Sequence, residues 1–130
     1  MNNPVSLTPD EFAALYAATD NPGKVEALTR ALRRAEIAAL AFQDEPDGGT
    51  CNFDAPALDY KACGLTKGKA EQAIADAGLR CFDWKAYGQR HLIICGFQLG
   101  QGDRRTTMAE AFCKSLKAEG YACGMYYRMD

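Results

Sequence analysis

One histidine, no Cys-x-x-Cys pair and no long apolar run are the absences that narrow the field. Zinc ligands come in close pairs, so His91 and six dispersed cysteines do not read as a metal site. The cysteines are Cys51, Cys63, Cys81, Cys95, Cys113 and Cys123, and no export signal precedes them to suggest a disulfide framework. They read as free thiols, with Cys81, Cys95 and Cys123 inside expected strands as small buried apolar groups. No metal and no cofactor is expected. No apolar stretch approaches the ~20 residues that span a bilayer. The opening "MNNPVSLTPDEF" lacks the charged-then-apolar pattern of a signal peptide, so a cytoplasmic location without membrane contact is expected. Basic excess is also missing: 15 basic against 17 acidic residues give a net charge of −2, and nucleic acid is not an expected partner. Neither a Gly-Lys-Ser/Thr ending nor a complete G-x-G-x-x-G fingerprint occurs, which leaves ATP hydrolysis and dinucleotide binding unsupported.

What is present suits one compact folding unit, since 130 residues at 48% apolar content can enclose a core. "LTPDEFAALYAAT" reads as a helix from about Pro9 to Ala18, with Thr8 as N-cap and Glu11 completing a capping box. A longer helix starts at Asn21-Pro22 and carries Val25, Leu28, Leu32, Ala35, Ala39 and Phe42 at helical spacing. Arg30, Arg33 and Arg34 gather on its polar side and read as a solvated basic face. These two helices form an N-terminal helical hairpin over residues 1–45. "DEPDGG" then breaks the pattern ahead of a second part, residues 49–130.

That second part alternates in type. "GTCNFDAPAL" reads as a strand, Lys67 to Ala77 as a helix capped by Gly78, and "LRCFDWKAY" and "RHLIICGF" as strands. A helix from Met108 to Glu119, capped by Gly120, and the strand "YACGMYYRM" complete a βαββαβ order. An internal echo supports it: Ala70 to Cys81 and Ala109 to Cys123 each run helix, glycine cap, strand. The expected fold is α+β, a ferredoxin-like plait preceded by the helical hairpin. Both plait helices cover one sheet face; the hairpin, a second subunit or a ligand is left to cover the other. A homo-oligomer is expected, because the stripe near Leu28, Leu32 and Ala39 or one sheet face would otherwise meet water.

"GQGDRRTTMAE" carries the most suggestive chemistry. Thr107 and Glu110 match a capping box, so the loop ahead of Met108 would place Arg104 and Arg105 at the positive end of a helix dipole. Gly100 and Gly102 permit close backbone approach, and a guanidinium offers a two-point fork to phosphate or carboxylate. The plain alternative is a flexible turn in which Asp103 pairs with Arg105 and the threonines only cap. A second group, Asn52 and Asp54, would share one strand face and read hydroxyls or base edges, with Cys51 and Phe53 facing away; an Asx-turn before Pro56 is its rival. The two groups meet if strands one and three are parallel. Arg104, Arg105, Gly102, Thr106, Thr107, Asn52, Asp54 and Trp84 are therefore the candidate residues for a small anionic or nucleotide-like ligand. Phe82 and Trp84 share a face, but the ring pattern of RNA-binding plaits is missing. Competing readings are a protein-binding inhibitor or adaptor acting through the sheet or the long helix, and a thiol enzyme using Cys51 with His91 and Asp54 or Asn52.

"GTCNFDAPAL", "GQGDRRTTMAEA" and the terminal "MYYRMD" together resemble short uncharacterised proteins of phages and mobile elements from anaerobic bacteria. The resemblance covers Gly49 to Asp130 and brings no catalytic residue or cofactor. It implies a role against host defences, such as sequestering a nucleotide signal without chemistry.

Overall fold

The computed structural model describes residues 21–44, 46, 54–84, 91–98 and 102–127. Three helices and four strands follow in the order α1 (Asn21–Leu40), β1 (Ala55–Leu58), α2 (Lys67–Asp76), β2 (Arg80–Trp84), β3 (His91–Cys95), α3 (Gly102–Ala118) and β4 (Cys123–Tyr126). The strands form one antiparallel sheet in the order β2-β3-β1-β4. The fold class is thus α+β, with the βαββαβ series read from the sequence. The helix expected at Pro9–Ala18 lies outside the described residues. Among those residues, no helix is long and apolar enough to cross a membrane.

Local chemistry sets the helix ends. Thr66 caps α2 by accepting from the Lys69 N–H at 3.3 Å, and Gly78, at φ 81°, closes it. Beyond that glycine the Leu79 N–H returns to the Ile74 carbonyl at 3.0 Å. At the end of α3 the same device recurs: Gly120 sits at φ 91° and the Tyr121 N–H reaches the Leu116 carbonyl at 3.1 Å. Both are left-handed glycine stops that satisfy orphan carbonyls. The echo in the sequence is therefore an echo in geometry, since each helix is turned straight into its following strand.

One core binds the helices to one face of the sheet. Leu28, Leu32, Ala35 and Ala39 of α1, Ala73 and Ile74 of α2, and Met108, Phe112 and Leu116 of α3 close on Leu58, Leu92 and Ile94. Phe112 stacks on Phe97 with ring centroids 4.2 Å apart and planes 15° from parallel. Each fully buried large side chain contributes roughly 1.5–3 kcal/mol of transfer free energy. The alanines of α1 matter for another reason: their short side chains let α1 approach both α2 and α3 closely.

Two expectations change here. The α1 stripe is buried inside the chain at 0% exposure for Leu28, Leu32 and Ala39, so it gives no physical reason for a second copy. And α1 joins the helical layer, not the opposite sheet face. Its arginines are exposed but engaged: Arg34 makes a two-point contact with Glu119 (3.0 and 2.6 Å), and Arg33 donates to the Asp76 carbonyl at 2.9 Å. They pin α1 to the C-terminal ends of its two neighbours, where a helix dipole favours cations.

The opposite sheet face has its own small cluster. Ala55, Ala57 and Ile93 are buried there, with Trp84 and Tyr126 packed against them. Alternation along β1 puts the two alanines on this face, and their small size leaves room for rings to lean inward from the two edge strands.

Candidate functional site

The stretch around Arg104 is not a loop. α3 begins at Gly102, and not near Met108, so Arg104, Arg105, Thr106 and Thr107 occupy its first turns. Thr107 is therefore not the N-cap. Glu110, expected to complete a capping box, instead accepts from the Tyr127 hydroxyl at 2.8 Å. Helical spacing now decides what each side chain reaches, because successive residues point about 100° apart. Arg104 donates to the Gln43 carbonyl at 3.1 Å, just past the end of α1. Thr106 donates to the Asp54 carboxylate, Oγ1 to Oδ2, at 2.6 Å. Arg105 is half-buried between them in sequence, and the neighbouring Cys95 and Asp54 bear on its charge.

Asp54 of the second group does meet the first, for a reason opposite to the one expected. Asp54 lies ahead of β1 and not inside it, and β1 runs antiparallel to β3, pairing Ala57 with Ile93. The start of β1 therefore lies beside the end of β3, where the chain departs for α3. Had β1 run parallel to β3 with Asp54 still ahead of it, Asp54 would lie beside the His91 end of β3 and away from the start of α3.

Asp54 is only 3% exposed. Its carboxylate is committed to Thr106 and to the vicinity of Arg105, which makes it a support for the site and not a surface reader of ligand. Arg105 carries the complementary signature: burial lowers its pKa, while Cys95 and Asp54 act to raise it. A guanidinium stripped of part of its water gains more from an anion than a fully hydrated one. Asn52, and Cys51 of the thiol reading, lie outside the described residues, as does Gly100.

Trp84 belongs to the sheet face that α1 leaves alone. It meets Tyr126 edge to face at 5.2 Å and His91 at 5.5 Å, tilted 49°. Phe82, two residues earlier on the same face, stands 6.3 Å from Tyr126 and is 51% exposed. Reading the sequence alone did not show that rings from opposite edges of the sheet converge; the signal available for it was the Ala-x-Ala spacing of Ala55 and Ala57. Arg80 is a further residue missed. It pairs in register with Cys95, and its Nε lies close to Gly96, at the same end of β3 as Asp54.

His91 opens β3, whereas Asp54 sits beside its far end. Five strand positions separate the two levels, or about 16 Å. Asp54 is thus out of reach as an orienting acid for His91. The Nδ1 atom of His91 is buried without a hydrogen-bond partner in the structure. Among the described residues, no group of three or more His, Cys, Asp and Glu stands close enough to hold a metal ion.

No family model, no curated protein and no solved structure matches this chain.

Proposed function

We propose that the chain is a non-enzymatic binder of a small phosphorylated, nucleotide-derived ligand, held where the start of β1 meets the first turns of α3. The observation that carries this reading is the 2.6 Å bond from Thr106 to the buried Asp54, which fixes the start of α3 with half-buried Arg105 at that junction. Arg105 supplies the charge for a phosphate, and Arg80 lies at the same end of the sheet. The ring surface of Phe82, Trp84 and Tyr126 supplies a face on which a base can stack. Binding without catalysis suits sequestration of a signal, the role that the phage-protein resemblance implies. The strand order β2-β3-β1-β4, with a helix between β1 and β2 and another between β3 and β4, supports the finer reading of a ferredoxin-like plait.

Arg104 has a different part. Its donation to Gln43 ties α3 to the end of α1, so the two arginines are not two fingers of one hand. Calorimetric titration against mono- and cyclic nucleotides and inorganic phosphate separates these roles. Arg105→Ala is expected to weaken binding about ten- to a hundredfold, the loss of a charge-assisted contact of roughly 1.5–3 kcal/mol. Arg104→Ala is expected to change affinity less than about threefold, under 0.7 kcal/mol. Equal losses in both variants contradict the division of roles, and an absence of binding across the panel removes the reading. Protein docking is then favoured by a specific feature: Ile37 and Phe42 of the long helix and its end are 69% and 40% exposed, and Phe42 lines a groove of about 480 Å³ with Ala38, Thr107, Glu110, Ala111 and Lys114.

A further inference from the structure

Three thiols converge where α3 hands over to β4, away from the site above. Cys113 on α3 and Cys123 on β4 are both buried, on elements that pack against each other. In its protonated form the Cys113 thiol donates to the Cys123 carbonyl oxygen at 3.3 Å, and the Cys123 thiol donates to the Gly124 carbonyl oxygen at 3.7 Å. Cys63 accepts the Ala122 N–H at 3.4 Å, one residue before Cys123. Cys123 also lines an open cleft of about 500 Å³, together with Asp59, His91, Lys117 and Tyr121.

We propose that Cys113 and Cys123 are an oxidisable pair, which a small peroxide converts to a reversible disulfide between α3 and β4. The geometry supplies two buried thiols on elements that pack together, the Cys113 sulfur 3.3 Å from the Cys123 carbonyl oxygen, with only the Gly120 turn between those elements. The chemistry supplies an asymmetry. The neighbouring Cys123 side chain holds the Cys113 thiol below its ordinary value, against burial, with Lys117 aiding and Glu110 opposing. The Cys113 side chain, joined by burial, pushes the Cys123 thiol well above its ordinary value. Cys113 is therefore the thiolate that attacks. Its sulfur displaces hydroxide from the peroxide O–O bond and becomes a sulfenic acid. The Cys123 sulfur then attacks that sulfur; the S–S bond forms, the S–O bond breaks, and the Cys123 proton leaves with the hydroxyl as water. The peroxide is the oxidant, reduced by two electrons to water. Cys63 is pushed upward by burial, so it stays protonated and stands by.

Hydrogen peroxide added stepwise to the full chain, followed by alkylation of remaining thiols under denaturing conditions and peptide mass mapping, tests this directly. The expected first product joins the Cys113 and Cys123 peptides, leaves the other four of the six cysteines alkylated, and is reversed by dithiothreitol. In Cys123→Ser the expected product is a sulfenic acid at Cys113, trapped by dimedone. Overturning results are a first product joined through Cys63, direct passage of Cys113 to sulfinic acid in the parent chain, or oxidation at Cys81 or Cys95 while Cys113 and Cys123 stay reduced. The parent chain alone decides the matter if the variant fails to fold.

Discussion

Replacing Thr106 by valine removes one hydroxyl and keeps a β-branched side chain of the same outline, so helix propensity changes little. What changes is Asp54. Its carboxylate, 3% exposed, loses the donor that stands 2.6 Å away. A hydrogen bond to a charged group contributes roughly 1.5–3 kcal/mol, and valine offers nothing in its place. Arg105 nearby still offsets part of the uncompensated charge, which puts the expected loss in the lower half of that range, about 1.5–2 kcal/mol. For a chain of this size each kcal/mol moves Tm by roughly 3–5 °C, so the variant should melt about 5–10 °C lower. Thr106→Ser restores a donor and should recover most of the loss. Scanning calorimetry on the parent, both variants, Asp54→Asn and the Asp54→Asn/Thr106→Val double variant completes a cycle; the coupling should exceed about 1 kcal/mol. A valine variant that melts within about 1 °C of the parent, or losses that simply add, would refute the claim that this bond anchors α3.

Two other expectations are simpler to check. Tyr127 is held protonated by its hydrogen bond to Glu110, which with burial pushes its pKa up to about 12 from an ordinary value of 10. The raised value means that the contribution of this contact is complete below pH 10 and is lost as pH climbs through about 12; ultraviolet titration should find a late-ionising tyrosine component that Glu110→Gln returns toward 10. The gain in stability is small, because Tyr127 is 60% exposed. Two phenylalanines should part company in urea melts: Phe112→Ala, stacked in the core on Phe97, is expected to lose about 3–5 kcal/mol, and Phe82→Ala under about 1 kcal/mol. Similar losses in both would show that the core is wrongly placed.

The elements whose burial follows a period were legible in the sequence. α1 runs where Val25, Leu28, Leu32 and Ala35 recur at helical spacing, and α2 ends at its glycine as expected. Gly78 and Gly120 were readable because only a left-handed stop explains a glycine between helix and strand at both places. The start of α3 was not readable, since Gly102 to Thr107 carries no apolar period and its hold on the fold is tertiary, through Gln43 and Asp54. A capping-box pattern at Thr107 and Glu110 offered a plausible local answer that these longer-range bonds override. The side on which α1 lies was also hidden, for an apolar stripe announces burial but not its partner. As to the candidate site, Asp54, Thr106 and Arg105 were all visible as residue types. Their meeting depends on strand direction, which pairing decides and composition does not.

Trp84 is the one tryptophan of the chain, and it stands on the proposed stacking face against Tyr126 and His91. Its fluorescence therefore reports on that face without a label. Titrating the parent chain with nucleotides should quench or shift this emission saturably, inorganic phosphate should do neither at matched concentration, and Arg105→Ala should move the nucleotide midpoint upward at least tenfold. An emission that stays constant through millimolar nucleotide, or a midpoint indifferent to Arg105, would contradict the account.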